Sequence, residues 1–316
     1  MQKSFEFVNI SKAFPGVLAV DDVSFKAEGG KVLALLGENG AGKSTMLKIM
    51  SGDLKADSGE LKLNGEVVSF SNPIAAINSG ISVIYQERQL IPRMSVMENI
   101  YPDALPKTKL GFYDRKRLRR EAEQIIRKFG LPIAPAELVG RLNVAYQQMV
   151  EVMKAYRRNS QVIAFDEPTA PLTQSEIDIL FKVIRQLRDE GKVVIYISHR
   201  LSEIFQVADE IVVLKDGCLV RTFKTSETNE TELIKAMVGR DIGNTYANLS
   251  RNEEFGDVIL EVNNLKTPYI EDVSFTLRRG EIVGFAGLVG SGRTEVARAL
   301  FGADPVTGGE IIFEGK

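Results

Sequence analysis

The stretch "GENGAGKST", residues 37–45, follows the apolar run "KVLALL" and leads into a helical pattern at 44–51. Gly37, Gly42, Lys43 and Ser44 satisfy G-x-x-x-x-G-K-[ST], and a strand before and a helix after are the context in which that pattern means a phosphate-binding loop. Glycines let backbone N–H groups turn inward around phosphate oxygens, and the positive end of the helix points at the same place. Across Gly37, Glu38, Asn39, Gly40, Ala41, Gly42, Lys43, Ser44 and Thr45 the expectation is a nucleotide cradle. Lys43 is expected to reach the β- and γ-phosphates and Ser44 to bind Mg²⁺.

Outward from this loop, "KVLALLG" (31–37), "QVIAFDE" (161–167), "KVVIYIS" (192–198) and "EIVVLKDG" (210–217) have the length and β-branched content of buried strands. They alternate with helical patterns at 44–51, 174–190 and 200–206, which predicts an α/β fold with a mostly parallel core sheet. The opening residues to about 27 and the segments near 59–70 alternate with period two, suggesting a smaller antiparallel β subdomain. Residues 113–156 read as a separate α-helical subdomain. Within it, "DRKRLRREAEQIIRK" (114–128) is basic, but Glu121 and Glu123 interrupt it and its apolar residues fall at helical spacing. A solvated helix face is the better reading than a nucleic-acid patch.

"VIAFDEPTA" (162–170) buries a strand and places two acids where it emerges. Asp166 is read as part of the Mg²⁺ shell and Glu167 as the general base that polarises the attacking water. His199, the single histidine, closes "VVIYIS". A lone histidine is usually structural, but a strand of the same sheet ending in it places an imidazole beside the γ-phosphate end of the pocket. Gln86, in "VIYQE", is open between sensing the metal or the water and being a polar loop residue.

The glycine loop recurs. "GLVGSGRTE" (287–295) lies 250 positions after "GENGAGKST" (287 against 37), and the same offset relates "EDVSF" to "DDVSF", Gly280 to Gly30 and "GGEIIFEG" to "SGELKLNG". A constant register across loop and flanking segments marks a duplicated domain. In the second copy Arg293 stands where the first has Lys43. The expected organisation is a first nucleotide-binding domain at 1–238, a polar linker at 239–257, and at 258–316 the N-terminal part of a second copy, truncated soon after its loop.

Composition narrows the partners. Forty basic against forty-two acidic residues give a net charge of -2, which offers no electrostatic footprint for nucleic acid or an anionic membrane. The 44% apolar content is ordinary for a globular protein. The single cysteine, Cys218, is expected to pack as a small apolar residue and suits a reducing cytoplasm. "MQKSFEFVNI" lacks the apolar core of a signal peptide, and no stretch approaches the ~18 apolar residues of a membrane span.

Lys43, Gln86, Asp166-Glu167 and His199 in this order, with "LNVAYQQMVEV" (142–152) between the glutamine and the acids, resemble the ATP-binding subunit of an ABC transporter. "KAFPGVLAV", "GISVIYQE", "DEPTAPLT", "YISHRLSEIF" and "AMVGRD", with the second loop, are most similar to the duplicated ATPases of bacterial simple-sugar importers, the ribose, galactose, xylose and autoinducer group. The resemblance implies a P-loop ATPase of ABC type that uses ATP and Mg²⁺ at the cytoplasmic face of the membrane. It implies a permease and a solute-binding protein as partners, and a second ATPase domain that closes head to tail over each nucleotide. It also implies that Phe14 stacks on adenine, against the alternative of packing near the antiparallel sheet; the second copy has only Tyr269 nearby.

The family's signature loop, Leu-Ser-Gly-Gly-Gln, is matched here by Leu142, Asn143, Val144, Ala145 and Tyr146. Head-to-tail geometry pairs this altered loop with the second phosphate loop, where Arg is larger and planar in place of Lys. The expectation is one hydrolytic site, with Lys43, Asp166, Glu167 and His199, and one degenerate site for structure or regulation. This chain alone is expected to turn ATP over slowly. Competing readings are a nucleoside-importer ATPase, a soluble ABC ATPase that does not transport, and a nucleotide-regulated scaffold. Against the last two stand the lack of charged linkers or zinc cysteines and the intact Lys43 and Glu167.

Overall fold

The computed structural model describes residues 3–238, 254–287 and 290–316. The chain divides into two compact units, 1–242 and 243–316. Most of the expected linker, 239–253, lies outside the described residues, as do Leu288 and Val289 of the second loop.

In the first unit a six-stranded sheet runs in the order Cys218–Lys224, Glu210–Lys215, Val32–Leu36, Val193–Ile197, Val162–Asp166, Ile81–Ile84. All neighbours are parallel except the antiparallel pair at the Cys218–Lys224 edge. The four inner strands read as near-continuous apolar runs because both faces are covered, and every residue of Val32–Leu36 and Val193–Ile197 is buried. Cys218, expected inside, is exposed: it opens the edge strand directly after the Asp216-Gly217 turn, where one side has no neighbouring strand among the described residues.

On one face lies the antiparallel sheet Val17–Glu28, Ser4–Phe14, Ser58–Leu63, Glu66–Val68. Its Phe5, Phe7 and Ile10 share a core with Leu33, Leu35 and helix Lys43–Met50. On the other face the helices Gln174–Asp189 and Val144–Arg157 cover Phe165 and Tyr196. Phe181 meets Tyr196 edge to face at 6.0 Å, an arrangement the ring quadrupole favours.

The helical subdomain is less continuous than its sequence suggests. Helix Arg115–Phe129 ends at Gly130, and the chain runs without an α-helix until Val144, through Pro132 and Pro135. Leu118, Ala122 and Ile126 bury one stripe of that helix, while Arg117 pairs with Glu121 and Arg119 with Glu123 at i,i+4 on the solvent side.

The second unit holds the antiparallel sheet Ile270–Arg278, Val258–Thr267, Gly308–Phe313 and the helix Arg293–Leu300. Its strand order repeats that of Val17–Glu28, Ser4–Phe14, Ser58–Leu63. The local bonding repeats too. The Asn9 N–H donates to Ser24 Oγ and its Nδ2 to Asp22 Oδ1. Asn264 does the same with Ser274 and Asp272. One difference stands out against the register. Residues 281–287, aligned with the buried strand Val32–Leu36, lie in no strand, and Ile282 is 97% exposed. A parallel strand needs neighbours for its ladder, and none flanks this segment among the described residues.

Candidate nucleotide site

The strand Val32–Leu36 ends at Gly37, where a Cβ would fall 2.4 Å from the Leu214 carbonyl oxygen, so only glycine passes the adjoining strand there. The chain then turns through Glu38, Asn39 and Gly40, which are exposed, and Ala41, which is packed into the core. Gly42, at φ 100, caps helix Lys43–Met50, and no side chain bonds to the first turn at that cap. The N–H groups of that turn are thus left facing the cleft with the positive end of the helix, a ready anion site.

Lys43 is buried and donates from Nζ to the carbonyls of Gly37, at 2.7 Å, and Glu38, at 2.9 Å. An ammonium carries three donors, so the ring of its own loop uses two of them. Burial pushes the Lys43 pKa down, and the carboxylates of Glu167 and Asp166 oppose that shift. Asp166 is shifted the other way, chiefly by burial and then by Glu167, with Lys43 and Lys48 opposing. One cationic and two anionic groups therefore share one partly dry cleft.

The cleft is lined on the loop side by Asn39, Gly40, Gly42, Lys43, Ser44 and Thr45, and opposite by Asp166 and Glu167, with Val17 and Ala19 at its border. It continues past Asn39 and Glu167 to His199, Glu38, Gly37 and Met237. His199 Nδ1 lies 3.1 Å from Glu167 Oε1. Glu167 itself sits at φ 45, in the left-handed region. Its N–H donates to Ile197 O at 3.0 Å, so the neighbouring strand holds that conformation in place.

Two residues singled out in the sequence stand apart from this cleft. Gln86 is exposed and lines a separate groove with Arg88, Pro92, Gly140 and Gln147. Phe14 is 43% exposed at the end of its strand, and Val17 and Ala19 rather than Phe14 border the cleft. Asn143 is the N-cap of helix Val144–Arg157, its Oδ1 accepting the Tyr146 N–H at 2.9 Å. Met237 was not foreseen. It comes from helix Glu230–Val238, whose Leu233, Ala236 and Met237 spacing was the available signal.

The donor set suits a hard divalent cation. No described residue donates a hydrogen bond to the Asp166 carboxylate, and the Ser44 hydroxyl lines the same cleft. Asp166 is half-buried and Ser44 exposed, so oxygen donors stand beside space for water, the setting Mg²⁺ takes next to phosphates.

Residues 20–170 match the family model described as ABC transporter. The chain is 46% identical over 312 residues to the arabinose import ATP-binding protein AraG of Yersinia pestis, covering 98% of this chain and 59% of that protein. It is 45% identical over 312 residues, with the same coverages, to a putative ribose/galactose/methyl galactoside import ATP-binding protein of Burkholderia lata. The chain thus spans about three fifths of these relatives' length. Among solved structures, the ADP conformation of MJ1267, an ATP-binding cassette of an ABC transporter, superposes with a TM-score of 0.65 at 24% identity, covering 78% of this chain and 99% of that one. At that identity the likeness speaks for the fold, which is that of an ABC ATPase.

Proposed function

We propose that this chain, built on the ABC ATPase fold, is the ATP-binding and ATP-hydrolysing part of an importer for a simple sugar of the pentose or hexose type. The observation that carries the reading is the single cleft in which Lys43, Ser44, Asp166 and Glu167 converge, with His199 Nδ1 3.1 Å from Glu167 Oε1. The loop amides and Lys43 bind the β- and γ-phosphates, and Ser44 with Asp166 holds the metal. Magnesium, when bound, neutralises charge between those phosphates. Glu167 takes the proton of the water that attacks the γ-phosphorus as the bond to ADP breaks. His199 holds Glu167 in aim through Nδ1–H, and as the imidazolium it also donates from Nε2 to the phosphate. Gln86, exposed in its own groove, and Phe14, exposed at its strand end, reach the metal and the adenine when this domain closes on its nucleotide.

The sugar assignment draws on the relatives, whose names give arabinose and ribose, galactose or methyl galactoside as cargo. Among the described residues no helix is long and apolar enough to cross a membrane. The relatives' import role supports a permease that holds the ATPase at the cytoplasmic face and a solute-binding protein that delivers the sugar.

Residues 258–316 are read as the start of a second ATPase domain, supported by the repeated strand order and the matching Asn9 and Asn264 bonds. Within the first domain the altered signature loop is a weak partner for a γ-phosphate, because the Asn143 side chain is already engaged in capping its own helix. Titration calorimetry of Mg-ATP into the chain and into Lys43→Ala tests the first site: the variant should lose at least about tenfold in affinity, the worth of one charge-assisted contact or more. Equal affinities would remove the assignment. Co-purification of a permease together with a solute-binding protein tests the transport role.

A further inference from the structure

Beneath the two residues assigned to hydrolysis lies a carboxylate that touches neither of them. Glu203, on helix Leu201–Val207, is 4% exposed. Its Oε2 accepts three hydroxyls: Thr169 Oγ1 at 2.7 Å, Tyr196 OH at 2.8 Å and Ser198 Oγ at 2.9 Å. Its Oε1 accepts Arg200 Nη1 at 3.2 Å. Ser198 Oγ in turn accepts the Arg200 N–H at 3.0 Å. Thr169, Tyr196 and Ser198 are all buried. Burial and the Glu203 charge push the Tyr196 phenol up, so it remains a donor.

The hydroxyl donors come from two segments, the loop after Glu167 and the stretch Tyr196 to Ser198. Thr169 is two residues beyond Glu167, Ser198 is one before His199, and Tyr196 is in the strand between Glu167's and the central one. A buried charge whose only cationic partner among the described residues is a partly exposed arginine carries a desolvation cost that a leucine would not. Packing alone therefore gives no reason for a carboxylate here. What it supplies is an acceptor strong enough to gather three hydroxyls on one oxygen. It thereby fixes the loop after Glu167 against the turn that carries His199. Glu167's left-handed backbone needs such over-determination.

We propose that Glu203 is a positioning residue for ATP hydrolysis, holding His199 and Glu167 in register through Ser198 and Thr169; this rests on the reading of Glu167 and His199 given above. Because His199 is the only histidine, its imidazole Cε1–H resonance in the untagged chain is a single, unambiguous reporter. In the parent, Glu167→Gln should shift that resonance, since the carboxylate lies 3.1 Å from Nδ1. In a Glu203→Ala background the same Glu167→Gln change should no longer shift it. Glu203→Gln, which keeps one oxygen, should retain part of the response. Ile184→Val, a buried change in the neighbouring helix, should retain all of it.

In single-turnover hydrolysis, Glu203→Ala should slow the chemical step by roughly ten- to a hundredfold with ATP affinity within about twofold of the parent, the pattern of lost alignment rather than lost binding. If Glu203→Ala does not fold, Thr169→Val removes one donor without stranding a charge, and should weaken both the NMR response and turnover in the same direction. A full-sized response in Glu203→Ala, or Thr169→Val unchanged in both measurements, overturns the proposal. A lost response with unchanged hydrolysis would uphold the positioning and instead remove Glu167 and His199 from the chemistry.

Discussion

Gly40 and Gly42 allow backbone strain to be weighed against atomic contact within one loop. Both have positive φ, 87 and 100. A Cβ at Gly40 would meet nothing within 4 Å, whereas one at Gly42 would fall 2.7 Å from the Ala19 carbonyl oxygen and 3.3 Å from Val20 Cγ2. For Gly40→Ala the left-handed region costs about 1–2 kcal/mol, and a stiffer unfolded chain offsets about 0.4–1 kcal/mol of it. The net loss is about 1 kcal/mol. Gly42→Ala adds a clash with a carbonyl fixed in the strand Val17–Glu28. Overpacking of that kind adds about 1–3 kcal/mol, for a total of about 2–4 kcal/mol. For a unit of this size each kcal/mol moves the melting temperature by roughly 2–4 °C, so Gly42→Ala should melt about 4–16 °C lower and Gly40→Ala about 2–4 °C lower. Scanning calorimetry of the two variants and the parent at one protein concentration measures both shifts. Equal shifts, or the larger one at Gly40, would refute the contact argument.

Glu167→Gln should cut ATP turnover by about 100-fold or more while calorimetric binding of Mg-ATP stays intact. Asp166 is held above the usual carboxylate range by burial. The folded chain therefore keeps that proton to higher pH than the unfolded chain does. The associated stability is complete below the ordinary carboxylate range and is lost as pH rises through the raised value. Asp166→Asn should thus melt higher than the parent at about pH 8, with the gap closing by about pH 4, and thermal melts across pH check the sign. Asn143→Ala should lower stability by about 1 kcal/mol through loss of the helix cap, whereas Asn143→Ser should leave the melt near the parent's. A drop of equal size in both would remove the cap from the explanation.

The core of this fold was legible because a doubly covered parallel strand has to be apolar throughout, and four such runs announce themselves. The edge strand Cys218–Lys224 did not, since it is mostly exposed and carries no such run. The helices Pro73–Asn78 and Val96–Ile100 are too short for a period to register. Lys43, Ser44 and Asp166 could be placed from spacing because a strand end and a loop fix them. Order along the chain carries no distance, however, so Gln86 and Phe14 could be named without learning that each sits outside the cleft. Glu203 was invisible for a related reason: its hydroxyl partners are gathered from the ends of two neighbouring strands, and nothing in its neighbours' sequence marks a carboxylate as interior.

The uncovered segment at 281–287 bears on how the molecule behaves in the tube. Ile282 and Val283 present apolar side chains to solvent, Phe285 is half-exposed where it meets Phe275 edge to face, and among the described residues no ladder takes up this stretch of main chain. That combination is a template on which another copy can zip. Concentrated stocks should therefore scatter light increasingly with time, and a lysine at 282 should keep them clear without disturbing the phosphate loop of the first unit.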